Sequence, residues 1–256
     1  MLFRSTAITS QNTRKFSSVE PVSPKAIANQ IESIFSDFKI DAIKIGMVYN
    51  SAIIKAIYSK LRRIGIPIIL DPVIKSTTGG ILLKPSSISD YKKLLIPIGY
   101  AITPNKSEAE ILSGIKIKTK KDLMKCAQKI RKFGVKNVII TGTELSKGKI
   151  SDFILENKRS NIITSKKILK KNHGSGCTFS STLAFCISNG KNITESLEFA
   201  HAYTLQSIKN AEKIGKGVPI TKIEKRDSIK TTLSNAVKQF TQIKNVYSFI
   251  PEVQTN

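Results

Sequence analysis

The chain has 256 residues, 40% of them hydrophobic, which is enough to bury one large core and leave a short remainder. Lys and Arg number 42 against 18 Asp and Glu, a net charge of +24, yet the basic residues are scattered, gathered at most as Lys166-Lys167 and Lys170-Lys171; with no Trp for base stacking, solvated basic faces account for the charge and a nucleic-acid partner is not expected. No apolar run approaches the ~20 residues that span a bilayer, and Cys126, Cys177 and Cys186 are odd in number without C-x-x-C spacing, so membrane, disulfide-framework and zinc-ribbon classes are set aside and a reducing cytoplasm is expected.

Residues 1–19 are rich in Ser and Thr and carry no acid before Glu20, a composition shared with organellar transit peptides. Beyond them, short Ile- and Val-rich runs at 41–45, 66–70, 100–102 and 137–140 alternate with helical spacing over 24–38, 51–64, 106–112, 120–133, 176–188 and 194–212. Continuous apolar strands interleaved with helices predict an α/β fold with a mostly parallel sheet covered on both faces. Thr194 is placed to cap the last of these helices, and Gly134 and Gly190 stand where helices should stop. Runs at 150–155 and 161–165, with a polar turn at 156–160, read as a hairpin at the sheet edge. After Pro219 a basic connector over 221–230 leads into a helical pattern carrying Leu233, Ala236, Val237 and Phe240. One helix and half a strand cannot form a core, so this tail is either an arm on the main domain or the opening of another.

Three loops carry chemistry. In Asn172-His-Gly-Ser-Gly-Cys-Thr178 the glycines let successive N–H groups converge, and the helix that follows adds partial positive charge. An anion is expected there, although Gly-Ser-Gly before a helix is also a common plain loop. At that helix start Cys177 is expected to have a lowered thiol pKa and to serve as proton acceptor, whereas Cys126 and Cys186 read as core residues. Asp71 directly follows an apolar strand, at the sheet edge where ligands gather in open α/β folds. Asn105 and Glu108 stand three apart after the next strand, a spacing that suits either water-mediated Mg²⁺ beside phosphates or a plain helix cap. His173 and His201 have no ligand spacing to any partner.

Lys44-Ile-Gly-Met47, Leu70-Asp-Pro-Val73, Thr103-Pro-Asn-Lys-Ser-Glu-Ala-Glu110 and His173-Gly-Ser-Gly-Cys-Thr178 occur in that order, and together they resemble the hydroxymethylpyrimidine kinase / phosphomethylpyrimidine kinase family over roughly residues 5 to 220. Thr6-Ala-Ile-Thr-Ser-Gln-Asn-Thr13 resembles that family's second block, which draws the N-terminus away from the transit-peptide reading. The resemblance implies a ribokinase-like three-layer α/β/α fold and ATP-dependent, Mg²⁺-assisted phosphorylation of 4-amino-5-hydroxymethyl-2-methylpyrimidine and its monophosphate. Gln11 and Met47 would hold the pyrimidine. Cys177 would act at the transfer centre, with Gly174, Ser175 and Gly176 as the anion hole. Asp71, Asn105, Glu108 and Thr141 would line the ATP phosphates, and Asn105 and Glu108 would organise Mg²⁺ through water.

Thr141 stands where many bacterial members have Lys, and the family's leading Ala-Gly-Ser-Asp loop has no counterpart here, so the first strand is expected to be missing. Residues 249–256 resemble the first residues of the thiamine-phosphate synthase domain fused in archaeal members. The expected division is therefore a kinase-like domain over 1–220 and a linker with the start of a second domain over 221–256, truncated at both ends. The resemblance leaves a homodimer open. Pyridoxal or pyridoxine kinase is the alternative enzyme, and a non-catalytic ligand-binding or regulatory fragment is the alternative class.

Overall fold

A computed structural model describes residues 4–157 and 159–222 together with the backbone of 246–249. The Ser/Thr-rich start forms an antiparallel hairpin, β1 (Ala7–Gln11) and β2 (Phe16–Pro21), outside the main sheet. Its register shifts between Ser10 and Gln11, the irregularity that re-aims a side chain at a strand end. In α1 (Pro24–Phe35) Ser23 caps the start by accepting from the Ala26 N–H, and Ile27, Ile31 and Ile34 recur at helical spacing on the buried face. Each such isoleucine stabilises the fold by about 1.5–3 kcal/mol relative to exposure.

The alternation of strand and helix then gives β3 (Ala42–Ile45), α2 (Ser51–Leu61), β4 (Ile68–Leu70), a run of short turns, and β5 (Ala101–Ile102). Within that run lie α3 (Ile88–Asp90), a π-helical turn at Tyr91–Leu95 and α4 (Ile96–Ile98). Next come α5 (Lys106–Ser113), α6 (Lys120–Arg131), β6 (Asn137–Ser146), β7 (Lys149–Glu156), β8 (Arg159–Lys166), α7 (Ser175–Ser188) and α8 (Ile193–Lys209). Strands β3 to β6 are parallel, while β7 and β8 extend the sheet antiparallel. On the other side of β3 runs β9 (Val246–Phe249), also parallel, giving the order β8-β7-β6-β5-β4-β3-β9. The helical pattern expected at 233–240 lies outside the described residues.

Because side chains alternate along a strand, each strand serves two layers. Ile43, Ile45, Ile68, Leu70, Val138 and Ile140 share one core with α1, α2, α5 and α6. Ile69, Ala101, Ile139 and Ile154 share the other with Phe179 and Leu183 of α7 and Leu197 and Ala200 of α8. The result is the expected three-layer α/β/α arrangement. Lys44, between Ile43 and Ile45, falls on the α7 side and is fully buried there.

Two local expectations change. Asn192, not Thr194, caps α8, in a reciprocal pair with Glu195, because Asn192 takes the extended backbone that a cap needs. Strand β6 runs on to Ser146 through Gly142, whose φ is +63°. Gly134 and Gly190 do end helical turns at positive φ, +110° and +79°. Among the described residues, no helix is long and apolar enough to cross a membrane.

Candidate active site

The carboxyl ends of β3, β4, β5 and β6 open into one cleft of about 730 Å³, closed on the far side by the start of α7. Ten residues singled out in the sequence meet here. Gln11, Met47, Asp71, Asn105, Glu108, Thr141, Gly174, Ser175, Gly176 and Cys177 all line it. Gln11 reaches it from the tip of β1, while Met47 follows β3 and is buried. A smaller recess of about 450 Å³ continues it past Lys75, Thr77 and Gly142.

At the start of α7, Gly174 caps the helix at φ +97°, a conformation that costs other residues strain, and an added Cβ there would lie 2.8 Å from Thr221 Oγ1. The first intrahelical bond runs from the Thr178 N–H to Gly174 O at 2.9 Å. The N–H groups of Ser175, Gly176 and Cys177 therefore have no acceptor within the helix. At Gly176 a Cβ would meet no protein atom within 4 Å, so packing does not demand glycine there; its bareness leaves the cleft open to a ligand.

Cys177 departs from expectation. Part of the residue faces the cleft, but its thiol is surrounded, and burial pushes its pKa up rather than down. Lys44 pulls it back, while Asp71 and Glu108 push it further up. Sequence could not show this, because the two carboxylates come from β4 and α5. Cys126 and Cys186 are buried core residues as expected.

Asn105 and Glu108 form a reciprocal helix cap. The Asn105 N–H donates to Glu108 Oε2 at 2.9 Å, and the Glu108 N–H donates to Asn105 Oδ1 at 3.0 Å. Glu108 Oε1 also takes the Ile74 N–H at 3.4 Å. The plain-cap reading is thus real, and the same two side chains still line the cleft. Burial, with Asp71 next, raises the Glu108 carboxyl to about 8. That is the behaviour of a carboxylate lacking a counter-charge, and a cation held through water fits it. No group of three or more His, Cys, Asp or Glu able to hold a metal by itself exists among the described residues.

Lys44 and His201 take parts in the fold that no spacing in the sequence announces. Lys44 is a charge inside an otherwise apolar strand, its Nζ 3.2 Å from Asp71 Oδ2, and that incongruity was its available signal. His201 donates or accepts at both ring nitrogens, 2.7 Å from Asp152 Oδ2 and 2.8 Å from Ser165 Oγ, while Asp152 Oδ1 takes the Gly142 N–H at 2.7 Å. The pairing fastens the glycine turn of β6 to α8 along one wall of the cleft. Across the mouth, the Gly217 N–H donates to Thr13 Oγ1 at 3.0 Å and the Val218 N–H to Thr13 O at 2.9 Å. The same loop then meets the turn that leads into α7, where the His173 N–H donates to Pro219 O at 2.8 Å.

A helix start with free N–H groups at the carboxyl edge of a parallel sheet, facing a buried thiol, belongs to the ribokinase-like small-molecule kinases, and that is the class this architecture defines. The family model described as phosphomethylpyrimidine kinase matches residues 3–222; the chain belongs to that family and is a phosphotransferase. It is 36% identical over 217 residues to the hydroxymethylpyrimidine/phosphomethylpyrimidine kinase of Aquifex aeolicus, covering 84% of this chain and 85% of that protein. It is 34% identical to a thiamine biosynthesis bifunctional protein of Geobacter sulfurreducens over 83% of this chain, but spans only 44% of that longer protein. The pyridoxal kinase of Staphylococcus aureus, solved in complex with AMP-PCP and pyridoxal, superposes with a TM-score of 0.75 at 29% identity, covering 84% of this chain and 79% of that one.

Proposed function

We propose that the chain transfers the terminal phosphoryl group of ATP to the hydroxymethyl group of 4-amino-5-hydroxymethyl-2-methylpyrimidine, and then to the resulting monophosphate, in thiamine biosynthesis. The carrying observation is the convergence of the α7 start, Cys177, Gln11 with Met47, and Asn105 with Glu108 on one cleft. Gln11 and Met47 recognise the pyrimidine by hydrogen bond and apolar contact. The N–H groups at 175–177 stabilise charge developing on the transferred group. Asp71 and Thr141 line the ATP phosphates, and Asn105 and Glu108 hold Mg²⁺ through water, where it neutralises phosphate charge. Cys177 takes the proton that the substrate hydroxyl loses. The AMP-PCP bound to the Staphylococcus relative, an ATP analogue, supports the nucleotide. A homodimer and a cytoplasmic location belong to the same reading.

Mixing the purified chain with ATP, Mg²⁺ and the hydroxymethylpyrimidine should yield mono- and diphosphate by mass spectrometry. No product, with the fold verified, would sink the proposal. Pyridoxal is the competitor that the Staphylococcus likeness raises, and product formed from pyridoxal in preference to the pyrimidine would move the chain to that specificity.

A further inference from the structure

Lysine is almost never fully buried without a partner, and an ammonium removed from water costs several kcal/mol that only good geometry repays. Lys44 is 0% exposed and its geometry is poor. Asp71 Oδ2, 3.2 Å from Nζ, is the one ion-pair partner of Lys44 among the described residues, and no well-aligned hydrogen bond reaches Nζ. That same carboxylate oxygen already accepts from Ser180 Oγ at 2.8 Å. An ion pair kept for stability would use the three ammonium donors; here they are left beside the cleft that Lys44, Asp71 and Cys177 line together.

We propose that Lys44 is a positioning residue for phosphoryl transfer: its buried ammonium, anchored by Asp71 and facing the first turn of α7, is the fixed positive charge that makes a thiolate at Cys177 tenable. The proposal rests on the Cys177 role given above. The ionisable groups that face the thiol are Lys44 from β3, Asp71 after β4 and Glu108 from α5. Burial and the Asp71 carboxylate would hold the proton on sulfur, with Glu108 adding to that as it ionises near 8. Lys44 offsets that bias, and sulfur can then take the substrate hydroxyl proton, the O–H bond breaking as S–H forms. Burial of Lys44 keeps the charge fixed and unscreened by salt.

The test is alkylation of Cys177 by iodoacetamide as a function of pH, in a Cys126→Ser/Cys186→Ser background, without metal or nucleotide. Because it needs no turnover, it separates failure of this inference from failure of the kinase reading. In Lys44→Met the pH midpoint should rise by at least about one unit, which is about a tenfold loss of alkylation rate below the midpoint. In Asp71→Asn the midpoint should fall, since the ammonium then acts on sulfur without a carboxylate beside it. Lys44→Met, verified as folded by circular dichroism, with an unmoved midpoint would overturn the proposal. Should Lys44→Met not fold, an unmoved midpoint in Asp71→Asn overturns it equally. With a kinase assay in hand, Lys44→Met should lower kcat while leaving KM for the pyrimidine within about twofold.

Discussion

Ser180 Oγ donates to Asp71 Oδ2 at 2.8 Å, joining the second turn of α7 to the end of β4 across 109 positions of sequence. This bond holds the acid in place between the cleft and the buried ammonium. In Ser180→Ala the carboxylate loses its hydroxyl donor, a change that costs about 1–3 kcal/mol when the group is buried. The expected drop in melting temperature is several degrees, read by differential scanning fluorimetry; an unchanged melt would show that water replaces the hydroxyl without loss.

Cys177→Ala should lower kcat at least about tenfold, the scale of a positioned proton acceptor. Cys177→Ser keeps the size but raises the pKa, so it should resemble alanine rather than wild type. Single-turnover kinetics distinguish the chemical step from product release, and a wild-type rate in either variant removes the thiol from the mechanism.

The Glu108 carboxyl sits at about 8 in the fold against 4.5 for the free group, chiefly through burial. Folding therefore favours its protonated form; that contribution is complete below 4.5 and is lost as pH rises through about 8. Ligand-free protein should lose at least about 1 kcal/mol, roughly 2–4 °C in Tm, between about pH 7 and pH 9, and Glu108→Gln should flatten that slope. An equal slope in the variant would assign the loss to other groups.

Asp152 serves the Gly142 N–H and His201 together. Asp152→Ala removes the partner of the buried His201 Nδ1, which keeps only its Ser165 contact at the other nitrogen, and turns the exposed Gly142 N–H over to water, so a loss of about 1–3 kcal/mol is expected, with KM for ATP raised more than KM for the pyrimidine. Equilibrium urea unfolding and initial-rate kinetics on the same preparation check the two effects. Matching rises in both KM values would argue against a role confined to the nucleotide wall.

Much of the layer order was legible because β3, β4 and β6 are Ile- and Val-rich runs, and α1 repeats Ile27, Ile31 and Ile34 at the helical period. Strand β2 was not, since Phe16-Ser-Ser-Val-Glu-Pro21 offers little apolar pattern. The turns over 85–98 were also hidden: Pro85 and Pro97 and the π-helical turn between them break the 3.6-residue period. The site's membership could be read from motifs at strand ends, but its electrostatics could not. Whether a thiol at a helix start ionises easily depends on how deeply the fold buries it and on which charges other strands bring beside it, and here burial first, with Asp71 and Glu108 behind it, reverses what the helix alone implies.

Thr13 and Gly217 bear on how the chain assembles. Their hydrogen bond closes a loop of 204 positions, and a Cβ at Gly217 would fall 2.0 Å from Thr13 O. During synthesis the hairpin that carries Gln11 emerges well before the residues at 217–218 that seat it, about ten to forty seconds earlier at ordinary elongation rates. The neighbouring strands β3 to β6 need no such wait. The wall of the cleft that carries Gln11 is thus finished only when Thr13 and Gly217 meet, so a chain still in synthesis can hold a formed sheet while that wall is open.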